Sequence, residues 1–143
     1  MGATPRNTDC IFCKIIGGEI PCSKVFESET VFAFLDIAPV NLGHALVIPK
    51  GHYPQLGELP IALGNDLLEA LKVVGNAVMQ AAKAEGLNIG MNNFEAAGQL
   101  VMHAHFHVIP RFADDGLTLW PSKKYTSMDE MNSLAETIRN LIK

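Results

Sequence analysis

The sequence has little cysteine, little charge and no long apolar run, and each scarcity excludes something. Three cysteines in 143 residues, all between Cys10 and Cys22, are too few and too clustered for a disulfide framework, which leaves reduced thiols or metal ligands. Charged residues make up only 18%, and the net charge is −4. That balance argues against the basic footprint of a nucleic-acid or anionic-membrane binder, although a small anionic ligand needs only a few local donors. No apolar stretch reaches the ~18–20 residues of a membrane span. The opening MGATPRNT lacks the apolar core of a signal peptide, and Arg6 stands where a myristoylation motif wants Ser or Thr. A cytoplasmic protein with no membrane and no nucleic-acid partner is therefore expected. Hydrophobic residues at 48% predict one globular domain over residues 1–143, with Met1–Thr8 as a flexible tail.

What the chain does have is histidine in one place. Of five histidines, three stand in Met102-His103-Ala104-His105-Phe106-His107-Val108-Ile109-Pro110-Arg111, and His44 and His52 lie close together upstream. Strict alternation of this kind predicts a half-buried strand over Leu100–Ile109, with the three histidines on one face and Ala104, Phe106 and Val108 on the other. Further strands are expected at Ser23–Glu27 and Val31–Asp36, as a hairpin, and at His44–Pro49 and Leu87–Met91. A short turn at Cys10–Ile16 has Asp9 as a candidate cap. The long helical pattern Ile61–Glu85 places Leu67, Leu71, Val74, Val78 and Ala81 on one face and ends at Gly86. Ser127 to Glu130 has the form of a capping box for a last helix ending near Leu141. These elements predict an α+β fold, a mainly antiparallel five-stranded sheet with one long helix and a C-terminal helix.

Three histidines on one strand face do not suit a single metal. His103 and His107 would be ~13 Å apart at Cα, whereas metal–nitrogen bonds are ~2.0–2.1 Å. Division of labour fits better. One histidine serves a metal or the structure, and the others supply a nucleophile and a proton donor. Upstream, Gly98 permits close backbone approach to a ligand, and Asn92, Asn93 and Gln99 can donate to phosphate oxygens. The pair Cys10-x-x-Cys13 is open to a redox pair, a zinc half-site or two buried thiols.

The stretch Gly98–Arg111 resembles the signature of the histidine triad (HIT) family, His-φ-His-φ-His-φ-φ, where φ is apolar. Ile11-Phe12-x-Lys14-Ile15-Ile16, Ile20-Pro21, Phe34-Leu35-Asp36-Ile37 and Gly43-His44-x-Leu46-Val47-Ile48-Pro49-Lys50 match in the same order, over roughly residues 10–112. The resemblance implies a HIT-like fold, a homodimer whose central sheets join, and hydrolysis or transfer of a nucleoside monophosphate through a nucleotidyl-histidine. By matching positions His105 would be the nucleophile, with its other ring nitrogen donating to a backbone carbonyl. His107, read as a protonated neighbour, would assist the leaving group, and His44 would complete the relay. Asn92 and Gln99 would contact phosphate, and Asp36 the ribose. Ile11, Phe12, Ile15, Phe34 and Ile37 would line the pocket for a base, expected to be a purine. A zinc-bearing branch matches at Cys10, Cys13, His52 and His103, a closed Cys₂His₂ set suited to structural zinc. Substrates of this kind are nucleoside phosphoramidates, adenylates or dinucleoside polyphosphates. Leu100 and Phe94 depart from the family, where Ser, Thr or Glu and Gly are common. They favour the alternative of a nucleotide-binding or sensing protein with little turnover. A hydrolase using zinc catalytically is a further alternative, which the full Cys₂His₂ set disfavours.

Overall fold

The computed structural model describes residues 5–142. Of the expected tail, residues 1–4 lie outside the described residues, while the carbonyl of Pro5 accepts from the His52 N–H at 2.7 Å. In chain order the elements are α1 (Ile11–Ile16), β1 (Lys24–Glu27), β2 (Val31–Leu35), β3 (Ala45–Pro49), α2 (Gly64–Ala82), β4 (Gly86–Gly90), β5 (Phe106–Arg111) and α3 (Met128–Leu141). The five strands form one sheet in the order β1-β2-β3-β5-β4, antiparallel throughout.

Alternation along the strands splits the buried residues between two faces. Val31 and Ala33, Ala45 and Val47, and Val108 meet Leu67, Ala70, Val74 and Val78 of α2 on one side. Phe32, Phe34, Leu46 and Ile48 meet Cys10, Phe12 and Cys13 on the other. Because β2 and β3 are covered on both faces, their sequences run almost continuously apolar. Each fully buried aliphatic side chain contributes about 1.5–3 kcal/mol. Helix α1, six residues long, is too short to stand by itself, so its packing on this second face must hold it.

The strands β1 to β4 begin and end within one residue of the expectation, and the larger differences lie at the helix ends and at β5. The sulfur of Cys10, not Asp9, caps α1, accepting from the Cys13 N–H at 3.5 Å. Helix α2 follows a separate 3-10 turn at Ile61–Leu63 and is closed by Lys83 in the left-handed region (φ 53°), because Gly86 is already paired with Arg111 in β4. Its buried face takes in Ala70 and Gly75 and leaves Ala81 exposed; a Cβ on Gly75 would sit 3.3 Å from Leu87. Strand β5 starts at Phe106, not Leu100, so His103 and His105 precede it in irregular chain. At α3 only half of the capping box forms. Ser127 Oγ accepts from the Glu130 N–H, while the Glu130 carboxylate turns back to Thr126.

Candidate active site

The segment before β5 is irregular because its polar groups are spent outside any ladder. The Ala104 N–H donates to the Tyr53 carbonyl at 2.6 Å, and the His103 carbonyl lies 2.7 Å from His105 Nδ1. A carbonyl only accepts, so Nδ1 of His105 carries the proton and Nε2 keeps a free lone pair. The His105 ring packs edge-to-face with Phe12 at 5.1 Å between centroids and with His107 at 5.0 Å.

A second hydrogen-bond chain fixes His107. The Val40 N–H donates to His44 Nδ1 at 3.1 Å, which forces the His44 proton onto Nε2. His44 Nε2 stands 2.9 Å from His107 Nδ1 and donates to it. The remaining His107 proton is then on Nε2. Burial lowers the pKa of His44, and it lowers that of His107 to about 4, with the His105 and His44 charges adding to it. His107 is thus a neutral donor here and not the protonated neighbour expected from sequence. Asp36 Oδ2 is 3.7 Å from His44 Nε2, beyond hydrogen-bond range, and its Oδ1 accepts from the Ala38 N–H. Asp36, His44 and His107 cluster closely enough to be considered for a metal. The tautomers oppose it, since the nitrogen of His44 that a metal would need carries the proton.

His44 and His107 wall a cleft of 630 Å³ with Asn92. The cleft continues along residues the sequence reading missed: Val40, Asn88, Arg111 and Trp120. Arg111 was legible in principle, because it extends the same alternation as His107 and Ile109. Its guanidinium grips Asp115 at 2.7 Å and Asn88 at 2.6 Å, which holds the Asp115 carboxyl well below the usual range. Trp120 comes from the chain beyond β5, where no periodic pattern signals it.

Other expected contacts are placed differently. Gln99 is only 2% exposed and fully engaged: Nε2 donates to the carbonyls of Pro54 and Val101, and Oε1 accepts from the Phe94 N–H and from Gln55. Its own N–H donates to the Phe94 carbonyl. The direct phosphate contact expected of Gln99 therefore does not fit; it shapes the loop over Gly98, beside which Asn92 lies. Phe12 and Phe34 stack edge-on at 5.5 Å within the buried cluster, and Ile15 packs against it. Ile37 is 97% exposed, and Ile11 lines a separate hollow of 310 Å³ with Leu100 and Met102. The five residues expected around a base thus divide between core and rim.

Behind His105, Cys10, Cys13, His52 and His103 converge. Cys10 Sγ and Cys13 Sγ lie 3.5 and 3.7 Å from His103 Nδ1, and Cys13 Sγ lies 3.5 Å from His52 Nδ1. Tetrahedral zinc, with bonds of ~2.3 Å to sulfur and ~2.0–2.1 Å to nitrogen, sets sulfur and nitrogen about 3.6 Å apart. His103 Nε2 lies 2.8 Å from the Pro49 carbonyl, so that nitrogen carries the proton and Nδ1 offers its lone pair inward. Burial raises the Cys13 thiol pKa and lowers that of His103 to about 4. A cation here would reverse the first effect and use the second. The donor set fits a closed four-coordinate metal.

Residues 17–114 match the model of the HIT domain. An adenosine 5'-monophosphoramidase of Schizosaccharomyces pombe is 44% identical over 136 residues, 94% of this chain and 98% of that one. An adenylylsulfatase of Arabidopsis thaliana is 42% identical over 115 residues, 80% of this chain; the match spans 57% of that relative's length. Among solved structures, a Streptococcus mutans protein superposes with a TM-score of 0.91 at 43% identity, covering 96% of this chain and 88% of that one. A zinc-bound histidine triad protein from Mycobacterium smegmatis gives 0.65 at 32% identity, covering 92% and 96%.

Proposed function

Because the chain belongs to the HIT domain family, we propose that it is a nucleotide hydrolase or transferase acting at the α-phosphate of nucleoside phosphoramidates, adenylates or dinucleoside polyphosphates. One observation supports this reading above the others: an unprotonated nitrogen, His105 Nε2, beside a histidine whose outward nitrogen carries a proton, His107 Nε2. His105 attacks the α-phosphorus in line, and the bond to the leaving group breaks. The anionic phosphate raises the proton affinity of the His44–His107 pair, which burial otherwise keeps low, so the pair takes up a proton from solvent as the substrate binds. The pair passes a proton to the leaving atom. Water then cleaves the phosphorus–nitrogen bond, losing its proton to the same pair and releasing nucleoside monophosphate. Asn92 and Arg111 offer donors along the cleft. Asp36 accepts from the ribose, and Phe12 and Ile37 flank the base, for which a purine is proposed.

Cys10, Cys13, His52 and His103 hold zinc in this reading, and the ion supplies a closed structural tie, not a reactant. Thiolate ligands suit a reducing, cytoplasmic setting. We further read the protein as a homodimer joined at β4, which lies at the edge of the sheet with Ile89 exposed. Incubation with adenosine 5'-monophosphoramidate and rapid quenching should trap an adenylyl group on His105 by mass spectrometry. His105→Ala should lose the adduct and at least ~10³-fold of the turnover. Full turnover in that variant would sink the assignment, and nucleotide binding without an adduct in the natural protein would favour the sensing alternative.

A further inference from the structure

His103 faces two ways. Its ring belongs to the cysteine–histidine set, with Nδ1 3.5 Å from Cys10 Sγ and 3.7 Å from Cys13 Sγ, and Nε2 2.8 Å from the Pro49 carbonyl. Its carbonyl, on the same residue, takes the Nδ1 proton of His105 at 2.7 Å. The Phe12 ring packs edge-to-face with both imidazoles, at 5.8 Å from His103 and 5.1 Å from His105. Helix α1 carries Phe12 next to Cys13, so the residue that presses on His105 is attached to a member of the same set.

We propose that His103 is a positioning residue for His105, and that the Cys₂His₂ set is what fixes it. The inference rests on the reading of His105 as nucleophile. No regular strand holds the backbone here, because β5 begins only at Phe106. The direction of the His103 carbonyl is set by where its ring is clamped, and by the Ala104 N–H to Tyr53. The ring has two anchors. Pro49 holds one nitrogen whatever the state of the thiols, but as a hydrogen bond it fixes a single point, and the packing of Phe12 and His52 on the ring includes a member of the metal set itself. The metal ligands supply the second. When they are lost, the carbonyl turns away from His105 Nδ1, and the nucleophile loses the partner that selects its tautomer. The proton then moves between the two ring nitrogens. Each ring with the proton on Nε2 has no lone pair toward phosphorus and cannot attack.

The consequence is specific. Disturbing the set should lower the rate of nucleotidyl transfer without weakening nucleotide binding, because no cleft residue is touched. The test uses zinc-loaded protein labelled with ¹⁵N at histidine, wild type beside His52→Ala and His52→Cys. His52 touches Cys13 and His103 but not His105 or His107. In His52→Ala, the His105 ring resonances should shift from a fixed Nδ1–H pattern toward an averaged one. For adenosine 5'-monophosphoramidate, kcat should fall about 10-fold with KM within about two-fold, the size expected of lost orientation. His52→Cys restores four ligands and should restore both readouts. Replacing zinc by the larger cadmium ion in wild-type protein perturbs the set without any substitution, so an unfolded His52→Ala leaves the question decidable. An unchanged His105 tautomer, in His52→Ala stripped of metal or in the cadmium protein, overturns the coupling. Absence of an adenylyl adduct in wild type overturns the nucleophile assignment instead, and leaves the tautomer result standing.

Discussion

Two histidine clusters sit on either side of His105, and they differ in how many ring nitrogens they leave over. At His103 both nitrogens are engaged inside the protein, one with sulfur and one with the Pro49 carbonyl. At His107 one nitrogen is held by His44 and the other is left for the cleft. A closed set of four donors suits structure, and a chain ending in a cavity suits proton traffic. Residues four apart in sequence thus take different roles, and what separates them is the partner of each second nitrogen.

If that division holds, the two sides break separately. The larger effect belongs to the open side. His44→Ala removes the donor to His107 Nδ1, so His107 can place its proton inward and present a bare nitrogen to the leaving atom. Loss of a positioned proton donor is worth ~10²-fold or more, and kcat should fall by about that factor with KM little changed. Zinc content, measured by metal analysis, should stay at the wild-type value. A His44→Ala protein that loses its metal would show that the two clusters are one structural unit.

Acid should weaken the open side next. The folded protein holds His107 to about pKa 4 by burial and by the neighbouring His105 and His44 charges, against 6.5 for a free imidazole. Between those values the unfolded chain binds a proton that the folded chain refuses, so stability rises with pH there. His107 therefore contributes no penalty above pH 6.5, and stability falls as the pH drops from 6.5 toward 4. Denaturation midpoints of zinc-loaded protein across that window should show the decline, and His107→Asn should flatten it. A slope unchanged by the substitution would place the acid sensitivity in His103 or His44, whose pKa values burial also lowers.

The sheet and the long helix were legible in the sequence, because periodicity reports burial directly; the set of Cys10, Cys13, His52 and His103 came from the family resemblance, and the structure brings those four side chains together. The histidine segment was legible in content and misread in form. Alternation predicted a strand from Leu100, but the His103 carbonyl is given to a side chain and the Ala104 N–H to Tyr53, and a ladder cannot form without them. Gln99 was misassigned for a related reason: a buried loop must satisfy its own polar groups, and that demand leaves no trace in a motif. Lys83 replaced Gly86 as the helix terminator because strand pairing had claimed the glycine. Trp120 and Asn88 reach the cleft only through tertiary placement.

Phe94 tests whether the loop over the open side carries cost for function. Its backbone stands at φ 70° and ψ 159°, a region that glycine occupies freely and other residues enter at about 1–3 kcal/mol. Gln99 keeps it there, accepting from the Phe94 N–H at 2.8 Å and donating its own N–H to the Phe94 carbonyl. The side chain is 64% exposed, so little burial is lost on removing it. Glycine relieves the strain and adds about 0.5–1 kcal/mol of chain entropy to be lost on folding. Phe94→Gly should therefore stabilise the protein by about 1 kcal/mol, a rise of about 2–4 °C in Tm. Gln99→Ala should cost less stability in that background than in wild type, since glycine needs no clamp. A fall in Tm would mean that the phenyl ring makes a stabilising contact larger than the strain. A rise in Tm together with lower turnover would identify the ring as a substrate contact, retained at the expense of stability.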